Sequence, residues 1–252
     1  MPMCIMAILY RSARDAPILV ASNREEFYDR PSQPPRIQSG KPRVICGIDR
    51  RAGGTWLGVN QYGLLVAVTN RPKIVVPPEP RSRGLLCRDL LSLHNANEAA
   101  DHAASELATG NYAGANFICL DANHGAVVYG GNKTEVVELV PGLHVLSNGN
   151  MDDSNDHRQQ FARRLLTLHM LDSAVTFLAV ASKTFSRKPD CSGRRGVILR
   201  GDDYGTVSST LISLATRPQN SVYQYAAGPP CDVAYDDLSA LLRQVLSADK
   251  QE

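Results

Sequence analysis

Short apolar runs separated by turn residues fill the first part of the chain, and they predict strands. CIMAILY (residues 4–10), a polar turn at RSARDA and PILVAS (17–22) form a predicted hairpin. RVICGI (43–48), TWLGV (55–59) and LLVAVT (64–69) continue the pattern. NQYG lies between the last two and places Gly63 where a turn favours a permissive backbone. The proline-rich stretches RPSQPPRI (30–37) and VVPPEPRS (75–82) read as loops, because proline brings no amide proton to a ladder.

The period then changes. GLLCRDLLSL carries leucines at 86, 90 and 93, the spacing of a helical face. NEAADHAASELATG is alanine-rich and stops at Gly110, a plausible helix end. Strand-like runs return at NFICLD, GAVVYGG, TEVVELV and LHVLSN. A second helical block follows: DHRQQFARRLLTLHM, with Phe161, Leu165 and Leu168 as its stripe, and then SAVTFLAVAS. RGVILRG, TVSSTLISL and VYQYAAG are further strand candidates, with Asp202, Asp203 and Tyr204 read as a hairpin turn. YDDLSALLRQVLSA closes the chain as a helix facing inward through Leu238, Leu241, Leu242 and Val245. Strands, paired helices, strands and helices again do not alternate as βαβ would. They predict an α+β protein of two antiparallel sheets with helices on the outer faces. The 252 residues fit a single domain, 1–252, with the basic stretch KTFSRKPDCSGRR (183–195) as an exposed loop.

Composition narrows the function. Apolar residues make up 43%, charged residues 21%, and the net charge is +2, which leaves no nucleic-acid footprint. No run approaches the roughly 18 apolar residues of a membrane span. The apolar start is too short and lacks the basic flank of a signal peptide, so a soluble cytoplasmic protein is expected. The six cysteines (Cys4, Cys46, Cys87, Cys119, Cys191, Cys231) are scattered, without a C-x-x-C pair. They suggest reduced thiols rather than a disulfide framework. The histidines show no metal-binding spacing, so neither a metal nor a cofactor is called for.

The least ordinary stretch is ASNREEFYDRPSQPP (21–35), where a strand-like run meets Asn23-Arg24-Glu25-Glu26. Two more apolar strands end in asparagine, at Asn70 and Asn148, and a cysteine, Cys4, heads the first strand. Each has a plain structural reading. Cys4 can be a small buried residue, the asparagines turn formers, and Arg24 with Glu26 a surface ion pair of little energetic weight. Trp56 in GGTWLG can be packing beside a glycine turn.

Taken together, CIMAILY…ILVASNREEFYDRPSQPP, GGTWLGVNQYGLLVAVTN, NFICLD…VVYGGN and PGLHVLSN resemble the NRDE family, also called the transport-and-Golgi-organization-2 family. The resemblance runs from Cys4 to about Asn148 and continues weakly through DYGTVSSTLISL. That family is similar in turn to N-terminal-nucleophile amidohydrolases of the choloylglycine hydrolase and penicillin acylase type. The resemblance therefore implies a four-layer αββα fold and a cysteine exposed by removal of the initiator methionine. Such a cysteine is nucleophile and base at once: a thiol near ~8.5 and an α-amine near ~8 sit on one residue.

Carried over, Asn70 and Asn148 are implied active-site residues, Asn70 binding the tetrahedral oxyanion. Glu26 is implied as the carboxylate that orients the amine of Cys4. Asn23 falls where the hydrolases keep an arginine, with Arg24 next to it on the opposite strand face. Glu25 replaces the usual Asp of the tetrad, and as a turn cap it would be the poorer residue. A late arginine of the hydrolases has no match; TVSS (206–209) stands near its place. The chain begins Met-Pro-Met-Cys rather than Met-Cys, and an over-extended start, with translation from Met3, is the favoured explanation.

The implied function is hydrolysis or transfer at a linear amide through an acyl-cysteine intermediate, with a small-molecule substrate. The alternative is a non-catalytic binding protein on the same fold, taking a hydrophobic ligand such as haem or lipid, related to secretion and Golgi organization.

Overall fold

The computed structural model describes residues 4–190 and 196–247. Residues 1–3, Cys191 and the end of the predicted last helix lie outside the described residues. Two compact units interleave along the chain. One runs to Asp29 and resumes from Pro141 to Ala240; the other comprises Arg30–Val140 and the chain from Leu241.

The first unit is built on a six-stranded antiparallel sheet. Its strands are β1 (Ile5–Tyr10), β2 (Ile18–Phe27), β10 (Gly142–Leu146), β11 (Tyr204–Leu214), β12 (Val222–Ala226) and β13 (Asp236–Asp237), in the order β10-β1-β2-β11-β12-β13. Helices α3 (His157–Leu166) and α4 (Ala174–Phe185) cover one face. Ile5, Ala7 and Leu9 of β1, Leu19 and Ala21 of β2, Val145 and Leu211 pack there against Ala162, Leu166, Phe177, Ala181 and Phe185. Every residue of β1 is buried, so both of its faces are covered.

The second unit holds a seven-stranded antiparallel meander in sequence order. It runs β3 (Ser32–Gln38), β4 (Val44–Asp49), β5 (Leu57–Asn60), β6 (Leu65–Asn70), β7 (Ala115–Leu120), β8 (Gly125–Gly130) and β9 (Thr134–Glu138). Helices α1 (Arg83–Leu90) and α2 (Ala96–Ala108) pack over Val66, Phe117, Cys119 and Val128. Side chains cap the helices: Ser82 Oγ accepts from Leu85 N, Asn95 Oδ1 from Glu98 N, and Asp156 Oδ1 from Arg158 N and Gln159 N. Such caps typically contribute about 1 kcal/mol each. The predicted turn at NQYG is present, with Gly63 at φ 84° and Asn60 Oδ1 accepting the Tyr62 and Leu64 amides. Helix α5 (Ser239–Leu246) ends the described chain with Leu242 and Val245 buried. Among the described residues no helix is long and apolar enough to cross a membrane.

Four expectations needed correction. RPSQPPRI is not a loop. Its C-terminal part forms β3, an edge strand whose pairing with β4 is interrupted between Gln33 and Arg36, where the two prolines sit. RGVILRG is not a strand: the Val197 and Ile198 amides both donate to Arg187 O, which satisfies them outside any sheet. The buried face of α3 is Gln159, Ala162 and Leu166 rather than Phe161, Leu165 and Leu168. Gln159 turns inward because its Nε2 donates to Ser147 Oγ (3.0 Å) and Asn150 O (2.9 Å). Of the predicted loop 183–195, Lys183–Phe185 belong to α4 and 191–195 lie outside the described residues.

Candidate active site

β-Strand alternation sorts the tetrad by face. Leu19 and Ala21 point to the helices, so Asn23 and Glu25 do as well; Ser22, Arg24 and Glu26 take the opposite face. The tetrad lies within β2 rather than at a turn, so Glu25 is a strand residue and caps nothing.

Cys4 immediately precedes β1. In the β1–β2 register Ile5 pairs Asn23, and in the β1–β10 register Met6 pairs Leu146. Continuing both ladders sets Cys4 opposite Arg24 on one side and Asn148 on the other. Ser208 of β11 pairs Arg24 in turn. Asn148, Cys4, Arg24 and Ser208 thus form a polar row across the sheet, on the face away from α3 and α4. Burial pushes the Tyr225 phenol up, while Ser208 and the Arg24 charge oppose this, which puts Tyr225 beside the same row.

The row is buried. Arg24 is 6% exposed and Asn148 8%. Arg24 Nη2 lies 3.6 Å from Glu26 Oε2, a sheltered ion pair rather than the surface pair expected. Glu26 Oε1 also accepts the Phe27 amide at 3.0 Å. Cys4 is half-buried and a free thiol, its Sγ 3.8 Å from Glu25 O. Burial, reinforced by the Glu25 charge, pushes the thiol up to about 12; Arg24 and Arg158 pull the other way.

Glu25 is the carboxylate most strongly felt at Cys4. Its side chain is fully buried on the helix side, where Oε1 accepts Arg158 Nη2 at 2.6 Å and Thr206 Oγ1 at 3.0 Å. Burial outweighs these partners and raises the carboxyl from an ordinary 4.5 to about 7. Asn23 is also buried; its Nδ2 donates to Phe185 O at 3.0 Å.

The connection that carries Asn148 is pinned. Asp152, at φ 58°, returns two backbone bonds: its amide donates to Val145 O and its Oδ1 accepts Val145 N, each at 2.8 Å. Its other oxygen meets His144 Nδ1 at 2.8 Å, and Arg163 reaches Oδ1 at 2.9 Å. Ser147, the neighbour of Asn148, donates to Asp156 Oδ2 at the start of α3.

Trp56 and Asn70 belong to the second unit. Trp56 packs against Gly47, where an added Cβ would meet its ring at 2.5 Å. Gly54 of the same GGTWLG motif lets the backbone touch the start of α1: a Cβ there would stand 2.1 Å from Gly84 C. Asn70 closes β6, and by the alternation that turns Val66 and Val68 to α1 and α2 it falls on the helix-covered face. The polar pair on the opposite face is Thr69 with Asn116, joined at 3.1 Å. Sequence reasoning missed Arg158, and it reached Thr206 only as part of TVSS, without a role for it. The one local signal was a cation directly inside the Asp156 cap of a predicted helix.

The family model described as "Transport and Golgi organisation 2" matches residues 3–224. The Bos taurus protein "Transport and Golgi organization protein 2 homolog" is 30% identical over 227 residues, covering 77% of this chain and 81% of the relative. A Mus musculus homolog is 34% identical over 140 residues, about half of each chain (52% and 50%). Among solved structures, the chain resembles an N-acylethanolamine-hydrolyzing acid amidase ortholog from Caenorhabditis elegans (TM-score 0.55, 15% identity, 83% of this chain and 92% of that one). It also resembles penicillin V acylase from Agrobacterium tumefaciens (TM-score 0.53, 13% identity, 94% and 87%). A mutant conjugated bile acid hydrolase from Clostridium perfringens follows (TM-score 0.51, 11% identity, 94% and 93%). The fold is therefore the α+β fold of N-terminal-nucleophile hydrolases, as the sequence reading expected.

Proposed function

We propose, for a chain that belongs to the transport and Golgi organisation 2 family, that its first sheet holds an acyl-transfer site in which Cys4 becomes the terminal residue and attacks a linear amide of a small molecule. What carries this reading is Cys4 at the head of β1, its Sγ 3.8 Å from Glu25 O, with the Glu25 and Arg24 charges acting on its thiol and Asn148 reached by continuing the β1–β10 ladder. Sulfur adds to the amide carbonyl carbon, the tetrahedral intermediate collapses, and the C–N bond breaks with a proton delivered to the departing amine. Water then splits the thioester to a carboxylic acid and restores the thiol.

Each residue has a task that follows from its place. The α-amine of a terminal Cys4 takes the thiol proton. Glu25, rather than the Glu26 suggested by the resemblance, orients that amine, because its charge acts most strongly on Cys4. Arg24 favours the thiolate, and Asn148 offers an amide N–H to the oxyanion. Cys4 within a longer peptide has no amine, and its thiol stays at about 12, which leaves it protonated and unreactive at neutral pH. The free thiols among the described residues suit a reducing compartment such as the cytoplasm.

The experiment compares two proteins, one released proteolytically to begin at Cys4 and one retaining the preceding residues. Each is mixed with a p-nitrophenyl ester and an activated amide, and the intact mass is followed. An acyl adduct on Cys4 in the first protein, absent from Cys4→Ala, is the expected result. No adduct in the Cys4-terminal form sinks the nucleophile. The raised thiol would then favour the second reading, a non-catalytic binder of an apolar ligand such as a lipid or haem on the same fold.

A further inference from the structure

We infer that Arg158, delivered by the first turn of α3, is the positioning residue that fixes Glu25 and sets its charge, with Thr206 as the second fixed donor; this rests on the reading that Glu25 serves Cys4. Three local rules are broken around this carboxylate, all in the same place. A glutamate occupies the buried interior of a strand, with its side chain wholly shielded from solvent. An arginine stands at the second position of a helix, behind the Asp156 cap, where the helix dipole disfavours a cation. The pairing of β11 with β2 slips between Thr206 and Ser208, and Thr206 is the residue that reaches Glu25. Bulges of this kind re-aim side chains beside active sites.

Burying an ion pair costs desolvation that the pair itself regains only with good geometry and further hydrogen bonds. Here the geometry is tight. Arg158 Nη2 meets Glu25 Oε1 at 2.6 Å, and its Nε donates to Val197 O at 3.0 Å, so the guanidinium is held at two points. Thr206 Oγ1 donates to Glu25 and accepts the Leu199 amide at 3.0 Å, which fixes the direction of its proton. Both donors use Oε1. Oε2 is buried and has no hydrogen-bond partner among the described residues. The carboxylate is thus clamped through Oε1, and the Ile5 amide at the start of β1 also favours its charged form. Agreement at every level marks an ordinary structural site, and clustered exceptions mark a functional one.

The test reads Glu25 directly. Protein labelled with ¹³C at glutamate carboxyls is titrated by NMR, the Glu25 signal being the one missing from Glu25→Gln. Arg158→Met should move the Glu25 midpoint upward by about one pH unit or more, since removing a charged partner leaves burial unopposed. Arg158→Lys should return part of that shift, and Thr206→Val should give a smaller upward shift. Circular dichroism melts confirm that each variant is folded; if Arg158→Met is not, Thr206→Val and Arg158→Lys decide. An unmoved Glu25 midpoint in the folded variants overturns the assignment. The acylation experiment on the Cys4-terminal protein is read separately. A shifted midpoint without any acylation keeps Arg158 in its role and removes the nucleophile; acylation with an unmoved midpoint does the reverse.

Discussion

The charges around Cys4 make opposite demands on its thiol, and this gives a prediction whose sign is fixed by the structure. The thiol is pushed from 9.0 to about 12, by burial first and the Glu25 charge second, against Arg24 and Arg158. At about pH 8 such a thiol is ionised to roughly one part in ten thousand, where an ordinary one is about a tenth ionised. Glu25→Gln removes a raising charge and leaves Arg158 free to act, so the thiol falls. A fall of about one unit gives ~10-fold more thiolate. Each thiolate is then ~3-fold less nucleophilic, so the net gain is roughly 3-fold. Arg24→Met removes a lowering charge and leaves Glu26 without its cation, so alkylation slows by a similar factor. Glu25 itself titrates near 7, so the Glu25→Gln acceleration should appear at about pH 8 and vanish near pH 6, where Glu25 already carries its proton. The assay is iodoacetamide labelling of the full chain, quantified on the Cys4 peptide by mass spectrometry, with folding checked by circular dichroism. If both variants shift the rate in the same direction, or Glu25→Gln accelerates equally at both pH values, the electrostatic account of this site is wrong.

Two further outcomes concern stability. Glu25 has a folded pKa raised from 4.5 to about 7, so its contribution is fully present below about 4.5 and is lost as pH rises through 7. Urea unfolding should therefore show the wild type losing stability relative to Glu25→Gln between pH 5 and 8, by on the order of 3 kcal/mol; a constant difference would contradict the raised carboxyl. Gly54→Ala should lower the melting temperature by several degrees, because the methyl meets the Gly84 backbone at 2.1 Å and backbone cannot step aside as a flexible side chain can; an unchanged melt would count against that close approach.

Much of the fold is legible in the sequence because periodicity reports burial. The apolar run LLVAVT survives as β6, and Leu86 and Leu90 of GLLCRDLLSL are buried on α1, which ends before Leu93. Reading fails where polar groups are satisfied by tertiary partners. Gln159 turns α3 about its axis by bonding Ser147 and Asn150, and no pattern of apolar residues announces that. RGVILRG has the composition of a strand, yet its Val197 and Ile198 amides go to Arg187 O and its Leu199 amide to Thr206 Oγ1. The site shows the same division. Cys4, Arg24 and Asn148 can be aligned once three strands are placed side by side, because register follows from ladder pairing. The choice of Glu25 over Glu26 needs the face each takes and the partner each finds, and Arg158 stands 133 residues from Glu25, with the second unit's Arg30–Val140 between them in sequence.

The buried polar residues of the first unit bear on whether this site works or is a relic. A binding pocket that had lost its chemistry would be under no physical need to keep buried ion pairs inside a sheet. Apolar replacements of similar volume are often neutral or stabilising by about 1–4 kcal/mol. Here Arg24 with Glu26 and Arg158 with Glu25 lie on opposite faces of one strand, next to the residue before β1. The opposing charges of Glu25, Arg24 and Arg158 leave the buried thiol pushed up and protonated. A free α-amine on that residue would change this balance, since it would bring a base to the sulfur. On the proposed reading the site is inert until its chain terminus is made, so the state of the amine on Cys4, rather than the choice of substrate, is the property that would separate the two functions.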